Sequence, residues 1–251
     1  KENNNFIDSG IQTHAESLKE SLSYYAKDLN IEVFNPCSEK SFDRILPNLK
    51  KFDGLIWGGS SLNIYNDCIE IRRQISFMEE CFKNIKKILA ICWGMQVAVT
   101  AAGGSVKKSI NGAHIGIAQD IEINENGIKH PLYQSKSKKF NSPAFNFDEV
   151  VSLPEGAIHL ASNKINKIQS IHFKAGLSDI WGLQYHPEIT YHKMISLIKF
   201  RKDRLINDRK CFKDELEIQN HIKFIENEIK KSEKESRMLE LKNWLNYLKA
   251  A

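Results

Sequence analysis

The apolar positions of this chain follow a helical period in some stretches and a strand period in others, and the balance changes near residue 105. Ile11, Ala15, Leu18, Leu22 and Tyr25 recur at helical spacing and predict an amphipathic helix over residues 10–29. Residues 31–34 are a short apolar run stopped by Asn35-Pro36 and predict a strand. A short helix interrupted near Pro47 follows over residues 41–49, then a strand over 53–57 closed by Gly58-Gly59-Ser60. Residues 67–83 predict a helix. Ile88-Leu89-Ala90-Ile91 then form an unbroken apolar run that stops at Cys92, and a helical segment carries on to Gly103-Gly104. Strands that are apolar throughout, alternating with helices, predict a parallel sheet covered on both faces. A strand ahead of the first helix belongs to this pattern, and only residues 1–7 are available for it.

Beyond residue 105 short alternating segments predict strands at 113–123, 144–153, 157–162, 168–173 and 180–185. Turn residues separate them, among them Asn126-Gly127 and Pro154-Glu155-Gly156. Residues 191–251 read as helical, with stripes at Met194/Leu197/Ile198, Ile218/Ile222/Ile225/Ile229 and Leu241/Trp244/Leu245/Leu248. The expected organisation is therefore an α/β domain over residues 1–190, a mostly parallel sheet flanked by helices, with a helical C-terminal extension over 191–251 packed on it.

Sheets of this kind carry their sites at the carboxyl ends of the strands. Cys92 and Gly58-Gly59 both fall at such ends. A cysteine at a strand-to-helix turn is exposed toward the positive end of the next helix, which favours its reactive thiolate form. His186 follows another apolar strand, and Pro187 restricts its backbone. Glu188 lies two residues on, so in extended backbone it points to the same side as His186 and can orient the imidazole. His186 can then take the proton of Cys92 and deliver it to a leaving amine. The N–H groups of Gly59 and of Trp93, the residue after the cysteine, can hold a developing oxyanion. Singly, each residue has an ordinary structural reading, since free cysteines are commonly buried core residues. Together, at predicted strand ends, they read as a Cys92–His186–Glu188 triad with a Gly59/Trp93 oxyanion hole.

Composition narrows the alternatives. The chain has 251 residues, 41% hydrophobic and 27% charged, with no apolar run near the ~20 residues of a spanning helix. No secretory or transit segment is evident, and the first residue is Lys1 rather than Met. The net charge of +5 is a mild excess, and clusters such as Lys136/Lys138/Lys139 lack the interleaved aromatics of a nucleic-acid site. Neither nucleic acid nor membrane is an expected partner. Five irregularly spaced cysteines with no C-x-x-C pair fit neither a disulfide framework nor a zinc site, and they fit a reducing, cytoplasmic setting. No metal ligand set and no cofactor motif is evident; His114, His130, His159 and His172 have no metal-ligand spacing.

Cys92-Trp93-Gly94-Met95-Gln96, His186-Pro187-Glu188 and Gly58-Gly59-Ser60 resemble the class I glutamine amidotransferases, and most nearly the stand-alone proteins similar to the amidotransferase domain of GMP synthase. The segment from Asp148 to Ala157 and the helical tail near Asn243-Trp244-Leu245 resemble the same subgroup. The likeness covers roughly residues 5 to 190 and implies a flavodoxin-like sheet. It implies hydrolysis of the side-chain amide of glutamine, with a γ-glutamyl thioester on Cys92, release of ammonia, and contact between Gln96 and the bound glutamine. Three positions depart from the family pattern: Ala90 replaces a glycine, Ser60 a proline, and Asn146-Phe147-Asp148 a His-x-Asp.

The leading expectation is a glutamine amidotransferase that passes ammonia to a synthase on another chain, since no synthase domain is present here. A γ-glutamyl hydrolase or peptidase would use the same triad with a different leaving amine. A regulatory or binding protein on the same fold would not use the triad at all. Oligomeric state is not legible.

Overall fold

A computed structural model of the protein describes residues 6–8, 10–37, 39–231 and 233–250. The first helix, α1, spans His14–Tyr25 and begins with a capping box in which Thr13 and Glu16 satisfy each other's backbone N–H groups. Helix α2 (Glu39–Ile45) passes at Leu46–Lys51 into a 3-10 turn with Pro47 at its start. Strand β1 (Leu55–Trp57), helix α3 (Ile69–Asn84), strand β2 (Lys87–Ile91) and helix α4 (Trp93–Ala101) follow in the expected order. The first-strand expectation over residues 1–7 falls largely outside the described residues, and Phe6 and Ile7 lie in a helical turn.

The strand expected at residues 31–34 does not form. Phe34 packs edge-on against Phe77 of α3, but Val33 on the other side is half exposed. Ile31 packs at the margin of the second core and Phe34 at that of the first, β1 remains the edge of the sheet, and the run is held by side chains instead of a ladder.

The strand-rich half contributes β3 (Ser105–Lys108), β4 (His114–Ile115), β5 (Ala118–Ile123), β6 (Lys139–Ser142), β7 (Phe145–Asn146), β8 (Asp148–Ser152), β9 (Ile158–Ser162), β10 (Ser170–Ala175) and β11 (Ser178–Leu183), with a short helix α5 (Glu125–Lys129) after β5. Seven strands form the main sheet in the order β1-β2-β11-β10-β9-β5-β6, while β3–β8 and β4–β7 make two small ribbons. The pairs β1/β2 and β2/β11 are parallel; the other neighbours are antiparallel. Because antiparallel neighbours alternate in direction, five of the seven strands still point the same way. The α/β class and its mostly parallel sheet are thus as expected.

Burial on both faces explains the unbroken apolar run of β2. Ile88 and Ala90 face a core built with Phe77, Met78, Val97 and Phe173. Leu89 and Ile91 face a second core with Leu22, Trp181, Leu183 and Trp244. Side chains alternate across a strand, so a strand covered on both sides has no polar position to offer.

After β11 the chain runs into α6 (Tyr191–Phe200), a π-helical turn at Arg204–Asp208, α7 (Glu215–Ile229), α8 (Lys234–Arg237) and α9 (Leu239–Lys249). Ile195, Ile198, Ile218, Ile222 and Ile225 close a third core over Ile115 and Ile117. Leu241, Trp244 and Leu245 of α9 are buried in the second core; at roughly 2 kcal/mol for each such side chain, that packing is worth several kcal/mol and ties α9 to the sheet. No helix among the described residues is long and apolar enough to cross a membrane.

Candidate active site

Cys92 stands between β2 and α4 with φ 54° and ψ −105°. A positive φ on a residue with a side chain is sparsely populated and is typical of sites where the surroundings over-determine the backbone. Here the fixing contacts are Cys92 N–H donating to Leu183 O at 2.6 Å and Gln96 N–H donating to Cys92 O at 3.2 Å. Helix α4 crosses β1 so closely that a Cβ on Gly94 would lie 2.2 Å from the Trp57 carbonyl oxygen. Glycine two residues after the cysteine is therefore a packing requirement. Ala90 is fully buried in β2, opposite Trp57 and Gly182 in register, so its methyl is accommodated.

The His186 ring is buried beside Cys92, and the two side chains interact. Its Nδ1 lies 2.7 Å from Glu188 Oε1. Burial works to lower the His186 pKa, but the Glu188 carboxylate and then Cys92 outweigh it and hold the imidazole well above its ordinary value. Burial likewise pushes Glu188 up, and the imidazoles of His186 and His14 overcome it, so the carboxyl lies below the usual carboxylate range. Both shifts favour the imidazolium–carboxylate form.

The backbone of this turn is braced from outside. Arg237 of α8 donates to the carbonyl oxygens of Pro187 and Ile189, the latter at 3.1 Å. Ser21 Oγ of α1 donates to the Glu188 carbonyl at 3.3 Å.

Gly59 lies against His186: a Cβ there would approach His186 Cε1 and His14 Cε1 to 2.9 Å each. Trp93 is the first residue of α4, so its N–H has no partner within the helix. Its indole N–H is turned away from the cysteine and donates to Gln74 Oε1 at 2.7 Å. Gln96 is buried in the cleft wall, its Nε2 3.4 Å from Gln184 Oε1, while Gln184 Nε2 reaches Cys92 Sγ at 3.6 Å. The structure thus brings Cys92, His186, Glu188 and Gly59 together, with Gln96 lining the same cleft.

Other residues complete the site without a local signal in the sequence. His14 stacks on His186 with ring centroids 5.3 Å apart, its Nδ1 3.8 Å from Glu188 Oε1. A ring nitrogen of His14, a ring nitrogen of His186 and a carboxylate oxygen of Glu188 lie within 4.8 Å of one another. Asp148 accepts from Asn63 Nδ2 at 2.7 Å and Tyr65 Oη at 2.9 Å. Asn146, which stands at the family's histidine position, lies 3.1 Å from Nδ1 of the buried His114. The cleft before Cys92 has a cavity volume of about 70 Å3, and Arg201, Arg204 and Arg209 stand in its lining.

The buried Cys92 thus stands at a strand-to-helix turn of an α/β sheet, beside His186, whose ring is held by Glu188. The family description "Glutamine amidotransferase class-I" matches residues 7–202, and the chain belongs to that family of enzymes. It is 33% identical over 190 residues to a gamma-glutamyl-L-1-hydroxyisopropylamide hydrolase of Pseudomonas; the match covers 74% of this chain and 63% of that protein. It is 31% identical over 159 residues to a glutamine-hydrolyzing GMP synthase subunit of Methanosarcina acetivorans, covering 60% of this chain and 76% of that one. The crystal structure of a glutamine amidotransferase from Thermotoga maritima superposes with a TM-score of 0.59 at 19% identity, over 81% of this chain and 80% of that chain, a likeness of fold.

Proposed function

We propose that the chain hydrolyses γ-glutamyl amides through a Cys92–His186–Glu188 triad, glutamine being the simplest such amide. The observation that carries this reading is the 2.7 Å contact of His186 with Glu188 beside Cys92. Cys92 Sγ attacks the amide carbon as the thiolate, with its proton held on His186. The C–N bond breaks, the amine departs with that proton, and a γ-glutamyl thioester remains on Cys92. Water adds to the thioester, its proton passing to His186 and then to the sulfur, and glutamate leaves. N–H groups of Gly59 and Trp93 receive the oxyanion at each tetrahedral stage, each worth roughly 2.7–4 kcal/mol in transition-state stabilisation. Gln96 contacts the glutamyl group.

Supporting this are the family membership and the two relatives, one named for a γ-glutamyl amide and one for glutamine hydrolysis. With ammonia as leaving group the chain is a glutaminase that serves a synthase on another chain; with a larger amine it is a γ-glutamyl hydrolase or peptidase. Residues 1–190 form the catalytic domain and 191–251 its helical extension. The free state of all five cysteines supports a cytoplasmic setting.

The test measures ammonia from glutamine and amine from γ-glutamyl amides, with Cys92→Ala as control. Release by the native chain that is lost in Cys92→Ala is expected. Release that persists in Cys92→Ala, or none from any γ-glutamyl amide, refutes the triad.

A further inference from the structure

Helix α1 meets Glu188 twice. The Glu188 carbonyl accepts from Ser21 Oγ at 3.3 Å. Its carboxylate Oε1, which faces His186 Nδ1 at 2.7 Å, lies 3.8 Å from His14 Nδ1. His14 and Ser21 are two helical turns apart and so share one face of α1. His14 is the first residue of that helix, and the capping box of Thr13 and Glu16 fixes its turn. Phe6 packs on the His14 ring with centroids 4.5 Å apart, and is itself buried with Ile189, Met194 and Leu197. Gly59 passes the His14 and His186 rings without a Cβ, which would come within 3.1 Å of His14 Nε2. Neither His14 Nδ1 nor Glu188 Oε2, both buried, has a hydrogen-bond partner among the described residues.

From this arrangement we infer that His14 is a positioning residue for His186, acting through the Glu188 carboxylate. The inference rests on the Cys92–His186–Glu188 reading above and deepens it. An ionised carboxylate only accepts, so the ring nitrogen of His14 that faces it, Nδ1, carries the hydrogen. A buried N–H is costly without an acceptor. A movement of about 1 Å turns the contact with Oε1 into a hydrogen bond. The reaction itself creates the need for it. When His186 gives its Nε2 proton to the leaving amine, the ion pair that holds the carboxylate is lost, and the His14 N–H then retains it. The stacked His14 ring, 5.3 Å away with planes 30° apart, keeps the plane of the imidazole meanwhile. Arg237, the other charged side chain beside Glu188, gives Nη1 to the carbonyls of Pro187 and Ile189. Burial pushes the Glu188 carboxyl up, and His186 and then His14 bring it below the usual carboxylate range. A ring that merely filled space would be replaced by phenylalanine without loss.

Three substitutions separate the ring from its N–H. His14→Phe keeps a ring on His186 and removes the donor. His14→Asn places an amide donor near the position of Nδ1 and removes the ring, and His14→Gln places that donor near Nε2 instead. With glutamine and γ-glutamyl-L-alanine, kcat is expected to fall about tenfold in His14→Phe and His14→Gln, with KM within about twofold of native. His14→Asn is expected to recover most of that loss. An undiminished kcat in His14→Phe and His14→Gln, a change confined to KM, or a loss as large in His14→Asn overturns the inference. Proton NMR of the full chain separates it from the reading on which it rests. The His186 Nδ1 proton facing Glu188, assigned by its absence from His186→Gln, is expected downfield in the native chain and in His14→Asn, and broadened by exchange with water in His14→Phe. That broadening in a chain that hydrolyses neither compound keeps the positioning role of His14 and refutes the triad. Hydrolysis that is lost in Cys92→Ala but is native in His14→Phe, with the resonance unmoved, keeps the triad and refutes the role of His14.

Discussion

Gly94→Ala sets two physical effects against each other with opposite signs. At helical positions alanine is favoured over glycine by up to about 1 kcal/mol, less in the first turn where Gly94 stands, so propensity alone predicts a slightly more stable protein. The structure predicts the reverse. The added Cβ would lie 2.2 Å from Trp57 O and 2.9 Å from Trp57 C, both backbone atoms of β1. Trp57 pairs with Ala90 in the parallel ladder, and Ala90 pairs onward with Gly182, so β1 cannot retreat without breaking sheet contacts. Restoring ordinary van der Waals distance requires α4 to move by about 1 Å, and overpacking of this kind costs roughly 1–3 kcal/mol. The net expectation is a loss of stability and a melting temperature lower by a few degrees. Activity should suffer more, because Cys92 is the N-cap of α4 and moves with it. A misplacement near 1 Å in a reacting group costs about 10^2-fold in rate. Circular dichroism melting and initial rates on a γ-glutamyl amide read the two effects separately. A variant that melts at or above the native temperature and keeps its kcat would refute the argument that this glycine holds the elbow in place.

Two further outcomes follow from the ionisable groups. In Glu188→Gln the carboxylate that raises His186 is gone and burial is left to lower it, so the alkaline limb of the pH–rate profile should move to lower pH, with kcat down by about 10^3-fold; an unmoved limb would remove Glu188 from the triad. His114 is lowered to about 4, first by burial and against the hydrogen bonds of Asn146 and Asn163, so the folded state holds it neutral. Its unfolded form gains a proton below pH 6.5, so stability falls as pH drops through the window from 6.5 to about 4, by about 2 kcal/mol at pH 5. Urea titrations at pH 7 and pH 5 should show a loss smaller by about 2 kcal/mol in His114→Gln than in the native chain, the half-buried His130 contributing alike to both.

The sequence was readable wherever neighbours in the chain share one environment. β2 could be read because burial on both faces leaves no polar position in it. The meeting of Cys92, His186 and Glu188 could be read because Cys92 ends a strand and because His186 and Glu188 are two residues apart. The elements missed are β3, β6 and the short helix α5, which takes up the turn expected at Asn126-Gly127. In β3 only Val106 is buried, and β6 is an edge strand with Lys139 exposed. Both strands are held by their partners and carry little apolar signal of their own. Residues 31–34 misled for the converse reason, since an apolar run can be anchored by side chains without a ladder, Phe34 on Phe77 and Ile31 on the second core.

The rest of the site was hidden for the same reason: its parts meet only in three dimensions. His14 comes from the start of α1 and the three arginines from the turn after α6, and nothing in their spacing marks them. The helices beyond residue 190 read in the sequence as solvated faces with apolar stripes. In the fold they reach the chemistry directly, because the buried Arg237 holds the carbonyls on either side of Glu188. A buried guanidinium is costly unless its hydrogen bonds are met, and those two carbonyls take both N–H groups of its Nη1. The His186-Pro187-Glu188 turn and α8 therefore satisfy each other. The C-terminal segment braces the His186-Pro187-Glu188 turn, and its sequence can be expected to answer to Glu188 as well as to any partner on its outer surface.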